Sequence, residues 1–455
     1  MRRSRGRGAA VAVGLLAWAA AAQEQPEVPV AGYEPEPGVF RSRLEKGLKL
    51  GGLPIISYST DEGFGFGALG TLTQFGDGEQ DPYVYEVSAQ IFASTKGVQS
   101  DYVSYDLPHA FGSRLRLQLS ASFTRALYSQ YYGVGNQSQY VPAYDTCDTA
   151  QVGPVSPGSS PLPLTPRCIG NPLFRGVRYY RFDELDLPSL RINLRYPLGG
   201  AWSVFGGYRF RYTRVQVLYP ASQGGTQQSQ LLTDARAGLL SGYNGSGDPY
   251  APFWLRYGEL AGGVAYDSRD NEFAPVKGMF HDLSLRTWLH PLGGQFNGWG
   301  ANLTLRFYAP VIPCDGRLVF ALRLLADLMG GEVPFYMLAS TGGLVPLDAV
   351  LGGSSSVRGM FQNRYQGDVK LLGNAELRYR MFGAWELEFE AAAGLDAGRV
   401  WYSLSQSDGG PVRMGSAVGV RIAWSHHFVI RFDFGIGITQ PEATGYIYLE
   451  TGELF

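Results

Sequence analysis

Phe428-Val429-Ile430-Arg431-Phe432-Asp433-Phe434 decides how this chain folds. Phe428, Ile430, Phe432 and Phe434 fall on one side of an extended backbone, and Arg431 and Asp433 fall on the other, which is the period-two pattern of a strand. The same alternation recurs on both sides of this segment. Trp385, Leu387 and Phe389 oppose Glu386, Glu388 and Glu390; Ile192, Leu194 and Tyr196 oppose Arg191, Asn193 and Arg195; Leu115, Leu117 and Leu119 oppose Arg114, Arg116 and Gln118. From about residue 50 to the end, such runs last roughly eight to twelve residues and break at Gly, Pro, Asn or Asp. Strands are the regular structure that this pattern permits.

A soluble sandwich would also alternate, but its strands average about 5 to 6 residues, whereas a tilted membrane-crossing strand needs about 9 to 11. The runs here are of the longer kind. Lipid offers no water to an unpaired sheet edge, so strands that cross it must close into a barrel with the charged face turned to the lumen. The expected fold is therefore all-β, a transmembrane antiparallel β-barrel of about 16 strands, an even number as an up-and-down barrel requires. Under this numbering the long connections 129–172, 219–253, 331–365 and 404–412 share one end, while Pro197–Ala201 and Met381–Ala384 share the other. One strand is expected over 173–196. The first two strands are expected to pair softly, because Gly63, Gly65 and Gly67 have no side chains to pack. Tyr83 with Tyr85, Tyr131 with Tyr132, Trp401 with Tyr402 and Tyr446 with Tyr448 are candidates for interfacial aromatic girdles.

Composition agrees with an envelope protein. The 455 residues carry a net charge of -2, which excludes nucleic acid as a partner on bulk charge, and only 17% are charged, with 61 glycines. Arg2, Arg3, Arg5 and Arg7 precede an apolar run from Ala9 to Ala22 that ends in small residues. That order reads as a signal peptide over 1–22, the run being too short for the ~20 residues of a spanning helix. Residues 23–49, with Pro26, Pro29, Pro35 and Pro37, read as a periplasmic linker, and 50–455 as the barrel. Cys147 and Cys168 either close a disulfide within one Pro/Ser-rich stretch or remain thiols, and Cys314 is the odd cysteine. No metal or cofactor is implied. The five histidines, His109, His281, His290, His426 and His427, sit in no Gly-x-Ser-x-Gly or paired catalytic signature, so the chain does not read as an enzyme.

Three segments carry a family resemblance. Val357-Arg358-Gly359-Met360, preceded by Leu351-Gly352-Gly353-Ser354-Ser355-Ser356, resembles the Val-Arg-Gly-aromatic loop motif of the BamA/TamA superfamily of outer-membrane assembly and translocation barrels, the bacterial surface antigen type. Met360 stands where Phe or Tyr is usual, and Phe361 follows. Gly394-Leu395-Asp396-Ala397-Gly398 is similar to the family's Gly-x-Asp-x-Gly strand pattern, and Asp267-Ser268-Arg269-Asp270-Asn271 is similar to its periplasmic turn. Tyr131-Tyr132-Gly133-Val134-Gly135-Asn136 resembles a recurrent loop of small members. The resemblance implies a loop folded back into the lumen, with its arginine meeting an acidic residue of the wall. The residues themselves supply partners: Asp396 shares parity with Glu386, Glu388 and Glu390, and Glu376 lies on the polar face with Arg378 and Arg380. Arg358 with either acid would form a latch. Phe455 resembles the aromatic end of an outer-membrane assembly signal, and an interface anchor is the structural alternative.

Members that insert or secrete proteins carry periplasmic polypeptide-transport-associated domains ahead of the barrel, and 23–49 cannot bury such a core. The expected location is the bacterial outer membrane, with its lipids as surroundings and client outer-membrane proteins or a separate periplasmic module as candidate partners. The resemblance implies assistance in the insertion, assembly or translocation of protein or lipid. The alternative is a passive or plugged pore without assembly activity.

Overall fold

The computed structural model describes residues 46–455 apart from 60–62, 78–82, 136–178, 184–188, 218–230, 232–233, 236, 243–250, 272–273, 313–314, 385–386, 404–409, 425–427, 440–444 and 452–453. The signal segment 1–22, nearly all of 23–49 and the three cysteines lie outside the described residues.

Strands β1 (Leu48–Ser59), β2 (Gly63–Gln74), β3 (Tyr85–Ser94), β4 (Val98–Ala110) and β5 (Leu115–Gln130) open the chain. They are followed by β6 (Tyr179–Asp183), β7 (Ser189–Gly199), β8 (Trp202–Val217), β9 (Phe253–Asp267), β10 (Gly278–Trp288) and β11 (Gly298–Ile312). The last six are β12 (Asp315–Gly331), β13 (Val369–Ala384), β14 (Leu387–Trp401), β15 (Arg413–Trp424), β16 (Phe428–Gly437) and β17 (Gly445–Thr451). All belong to one antiparallel sheet that closes on itself through β1 and β17. The seventeen segments fill sixteen positions. Both β6 and β7 lie between β5 and β8, β6 opposite Arg125–Gln130 and β7 opposite Arg116–Ser122. The single run expected over 173–196 is thus two segments, Tyr179–Asp183 and Ser189–Gly199, at different levels of the same position in the wall.

The wall is inside out relative to a soluble protein. On β13, Leu377 is 47% exposed while its neighbours Glu376 and Arg378 are 1% and 2% exposed. On β16, Phe432 and Phe434 are exposed and Asp433 is wholly buried. Water would reverse both assignments, since burying a charge is costly and exposing a continuous apolar belt favours association. Hydrocarbon outside and polar groups inside satisfy both rows.

The connection 332–368 between β12 and β13 is long, whereas β13 meets β14 and β15 meets β16 across gaps of two and three residues, 385–386 and 425–427. Closure of the sheet is uneven. β1 pairs with β2 along its whole length, from Leu48 opposite Gln74 to Ser59 opposite Gly63. Among the described residues, it pairs with β17 through Tyr58 with Leu449 and Ser59 with Tyr448, and Leu48–Ser57 have no described partner there. The glycine-rich segment expected to pair softly is laddered, with β1 from Gly63 to Gln74 and with β3 from Gly65 to Gln74, and among the described residues the sparser junction is that of β1 with β17.

Candidate functional site

The loop 332–368 lies against the buried, polar face of the wall. Two apolar clusters seat it. Val350, Leu351, Val357, Met360 and Tyr365 pack with the wall residues Leu325, Leu372 and Val400, and Phe335 and Met337 pack with Trp288 and Leu255. Burying these side chains, at roughly 1.5–3 kcal/mol for each large one, offsets part of the entropy of ordering the segment.

Arg358 is the polar centre of the first cluster. Its Nε and Nη2 donate to the two carboxylate oxygens of Asp396 on β14, at 2.8 and 3.0 Å, a two-pronged pairing that fixes the guanidinium plane. Its Nη1 donates to Glu376 Oε1 on β13 at 2.7 Å and to Asp433 Oδ2 on β16 at 3.2 Å. The backbone N–H of Arg358 also donates to Asp396. Around this core, Asn374 Nδ2 donates to Asp396 and to Ser356 O; Arg378 donates to Glu376; and Arg421 donates to both Glu376 and Asp433. Arg431 lies directly opposite Glu450 in the ladder and 3.5 Å from Asp433. Four arginines thus stand with four carboxylates, and both oxygens of Asp396, Glu376 and Asp433 accept from a guanidinium, which helps a buried ion-pair cluster to be tolerated.

Strand geometry explains why these residues meet. Gly394, Asp396 and Gly398 alternate onto one face, so an acid stands between two positions without side chains and the loop can approach the wall. A Cβ on Gly394 would sit 2.5 Å from Arg358 Nη2, and one on Gly415 would overlap the Arg358 carbonyl.

A family model, the Omp85 superfamily domain, matches residues 188–455. The chain belongs to the Omp85 superfamily. It is similar in fold to BamA from Haemophilus ducreyi lacking POTRA domains 1-3, with a TM-score of 0.56 and 12% identity over 90% of this chain and 70% of that one. It is also similar to CdiB from Escherichia coli, with a TM-score of 0.51 and 12% identity over 89% of this chain, spanning 62% of CdiB. No curated protein matches it in sequence. It is a bacterial outer-membrane protein, and Omp85 barrels are generally transport or assembly proteins.

In this Omp85 barrel, the resemblance-derived residues fall into three groups. Val357, Arg358, Gly359 and Met360 are brought together with Glu376 and Asp396. Met360, at the position usually aromatic, is wholly buried in the apolar cluster, and the adjoining Phe361 stacks on Tyr132 and meets Tyr446 edge-on. The turn residues form a separate unit. Asp267 accepts from Arg269 Nε and Nη2, both at 2.9 Å, and Asp270 Oδ1 accepts from the backbone N–H groups of Val276 and Lys277. Phe455 stands apart from the lipid face: its ring lies 5.0 Å from the Arg323 guanidinium and 5.2 Å from that of Arg378, both on the lumenal side. An interface anchor does not describe this placement.

The girdle expectation also needs correction. Tyr131, Tyr132, Tyr446 and Tyr448 are buried inside the Omp85 barrel, where the hydroxyls of Tyr131 and Tyr448 find partners that lipid lacks. Tyr131 donates to Asp234 at 2.7 Å, and Tyr448 accepts from Gly359 N and donates to Met360 O. Asp433, Arg421 and Tyr448 were not picked out as site residues. Parity placed Asp433 on the polar face, but only closure of the sheet carries β16 to the loop. Among the loop groups outside the strands, burial pushes the Asp368 carboxyl up to about 6, with Lys370 pulling the other way.

Proposed function

We propose that this Omp85 barrel assists insertion or translocation of polypeptide at the outer membrane by parting β1 from β17. The seam carries the reading: among the described residues two pairs join these strands and Leu48–Ser57 have no described partner on β17, whereas β1 and β2 share an unbroken ladder. Opening it breaks few hydrogen bonds, each worth about 0.5–1.5 kcal/mol, and exposes a strand edge on which an incoming strand can pair. The ion-pair cluster around Arg358 acts in this reading as the latch that keeps β13, β14 and β16 in register while the seam moves. Export through the segment 1–22, a linker over 23–49 and supply of periplasmic function by a separate module belong to the same proposal.

The test uses the double substitution Tyr58→Cys with Leu449→Cys in proteoliposomes. Reduced protein should speed the folding of a second outer-membrane barrel, and oxidised protein should not. Equal folding in protein-free liposomes, or no effect of oxidation on a confirmed crosslink, overturns the proposal. A plugged pore is the second reading, favoured by the seating of loop 332–368 against the lumenal wall.

A further inference from the structure

A cavity of about 620 Å³ occupies the lumen beside the loop, reaching from Thr341–Leu347 to the Arg269 turn. Eight arginines line it, with Glu259 as the sole acid among its lining residues. Among the described residues, five carboxylates stand within ion-pair distance of these arginines, and one of them, Asp327, is shared with Lys370. The excess of positive charge contrasts with the four-against-four balance around Arg358.

Register sharpens the contrast. Arg191 lies directly opposite Arg209 on β7 and β8, and Arg306 directly opposite Arg323 on β11 and β12. Like charges in facing positions destabilise a sheet. Arg421 and Arg431 face each other in the same way, but Asp433 bridges them, at 2.6 and 3.5 Å. No described carboxylate stands within ion-pair distance of both members of either pair in the cavity, although Glu259 and Asp348 act on Arg191 from farther away. Glu259 serves Arg209 and Asp282 serves Arg306, while Arg191 has no described carboxylate within ion-pair distance. Arg323, 1% exposed, donates only to neutral oxygens, those of Asn374, Leu454 and Ser355. Arg209 Nε is buried without an acceptor.

We propose that this cavity binds a phosphate-type oxyanion between the two facing arginine pairs. Guanidinium forks from four strands that line one cavity match an anion with three or four oxygens and more than one negative charge better than they match a single carboxylate. The group is either free or carried on an amphiphile, and the proposal stands independently of strand-seam opening.

Isothermal titration of the full chain in dodecyl maltoside micelles tests it with two probes, inorganic pyrophosphate and dodecyl phosphate. Saturable binding near one to one is expected, weakening as salt rises. Arg191→Gln and Arg323→Gln should each weaken it roughly tenfold or more, given the strength of hydrogen bonds to charged groups. Arg380→Gln, the same charge change outside the cavity, should not. Binding of pyrophosphate assigns a free oxyanion, and binding of dodecyl phosphate alone assigns an amphiphile. Binding of neither probe, or equal affinity in Arg191→Gln, overturns the proposal, as does equal weakening by Arg380→Gln. Folding is checked by the mobility difference between boiled and unboiled samples. Arg323→Gln removes buried hydrogen bonds, whereas half-buried Arg191 has no ion pair to lose, so Arg191→Gln keeps the test decisive if Arg323→Gln fails to fold.

Discussion

Arg358 concentrates the energetics of the loop, because three buried carboxylates accept from it. Arg358→Ala leaves Asp396, Glu376 and Asp433 with an uncompensated negative charge and should destabilise the barrel by about 3–5 kcal/mol in urea unfolding from vesicles. Arg358→Lys should recover less than half of that, since an ammonium cannot fork onto Asp396 as the guanidinium does. Unfolding of Arg358→Ala within error of the parent would refute this account. Asp368 gives a second test. Its folded pKa is raised from 3.8 to about 6, so the folded state holds a proton that the unfolded chain has released. The ionised carboxylate therefore weighs against folding above about pH 6 and has no effect below about pH 4, where both states are protonated. Asp368→Asn should match the parent at acid pH and become the more thermally stable of the two as pH rises through that window. At this scale, Arg358, Asp396 and Glu376 were legible from motif and parity. Asp433 was not, because its approach to Arg358 depends on how far the wall curves.

Among the elements, β1 and β17 have an edge with few ladder pairs among the described residues. Along β1, the groups that point toward β17 between Leu48 and Ser57 have no described ladder partner there, whereas β11 and β12 are paired from Gly298 and Gly331 downward. Hydrogen exchange in micelles should replace β1 and β17 amides at least tenfold faster than those of β11 and β12, since exchange follows the free energy of local opening. Equal protection would show a closed seam and remove the basis of the opening mechanism. Strand identity was legible along most of the wall, where the period of two recurs, but the single run expected over 173–196 is two segments, β6 and β7. The location of the weak junction was not. Glycine content pointed to β2, but a ladder depends on partners and register as well as on side chains.

At the scale of the whole barrel, the fold places an apolar belt outward and fills the lumen with a loop, an ion-pair cluster and an arginine-lined cavity. In planar bilayers the parent should show steady low conductance, because loop 332–368 is held on the lumenal wall by its apolar clusters and by Arg358. Arg358→Ala should raise the conductance in discrete steps as the loop leaves the wall. An unchanged trace, with the variant still folded, would mean that the apolar clusters alone hold the loop.

The residues in order were enough to specify a closed, lipid-facing sheet of sixteen positions, because alternation is local and a strand of that length reports its own two faces. They also specified which end carries the long connections. What only the tertiary structure decided is which lumenal groups meet: four carboxylates around one arginine cluster, facing arginines without a bridging acid, and tyrosines turned inward from the expected girdles. Those outcomes depend on ladder register and on the curvature of the closed wall, and neither is written in the spacing of any single strand.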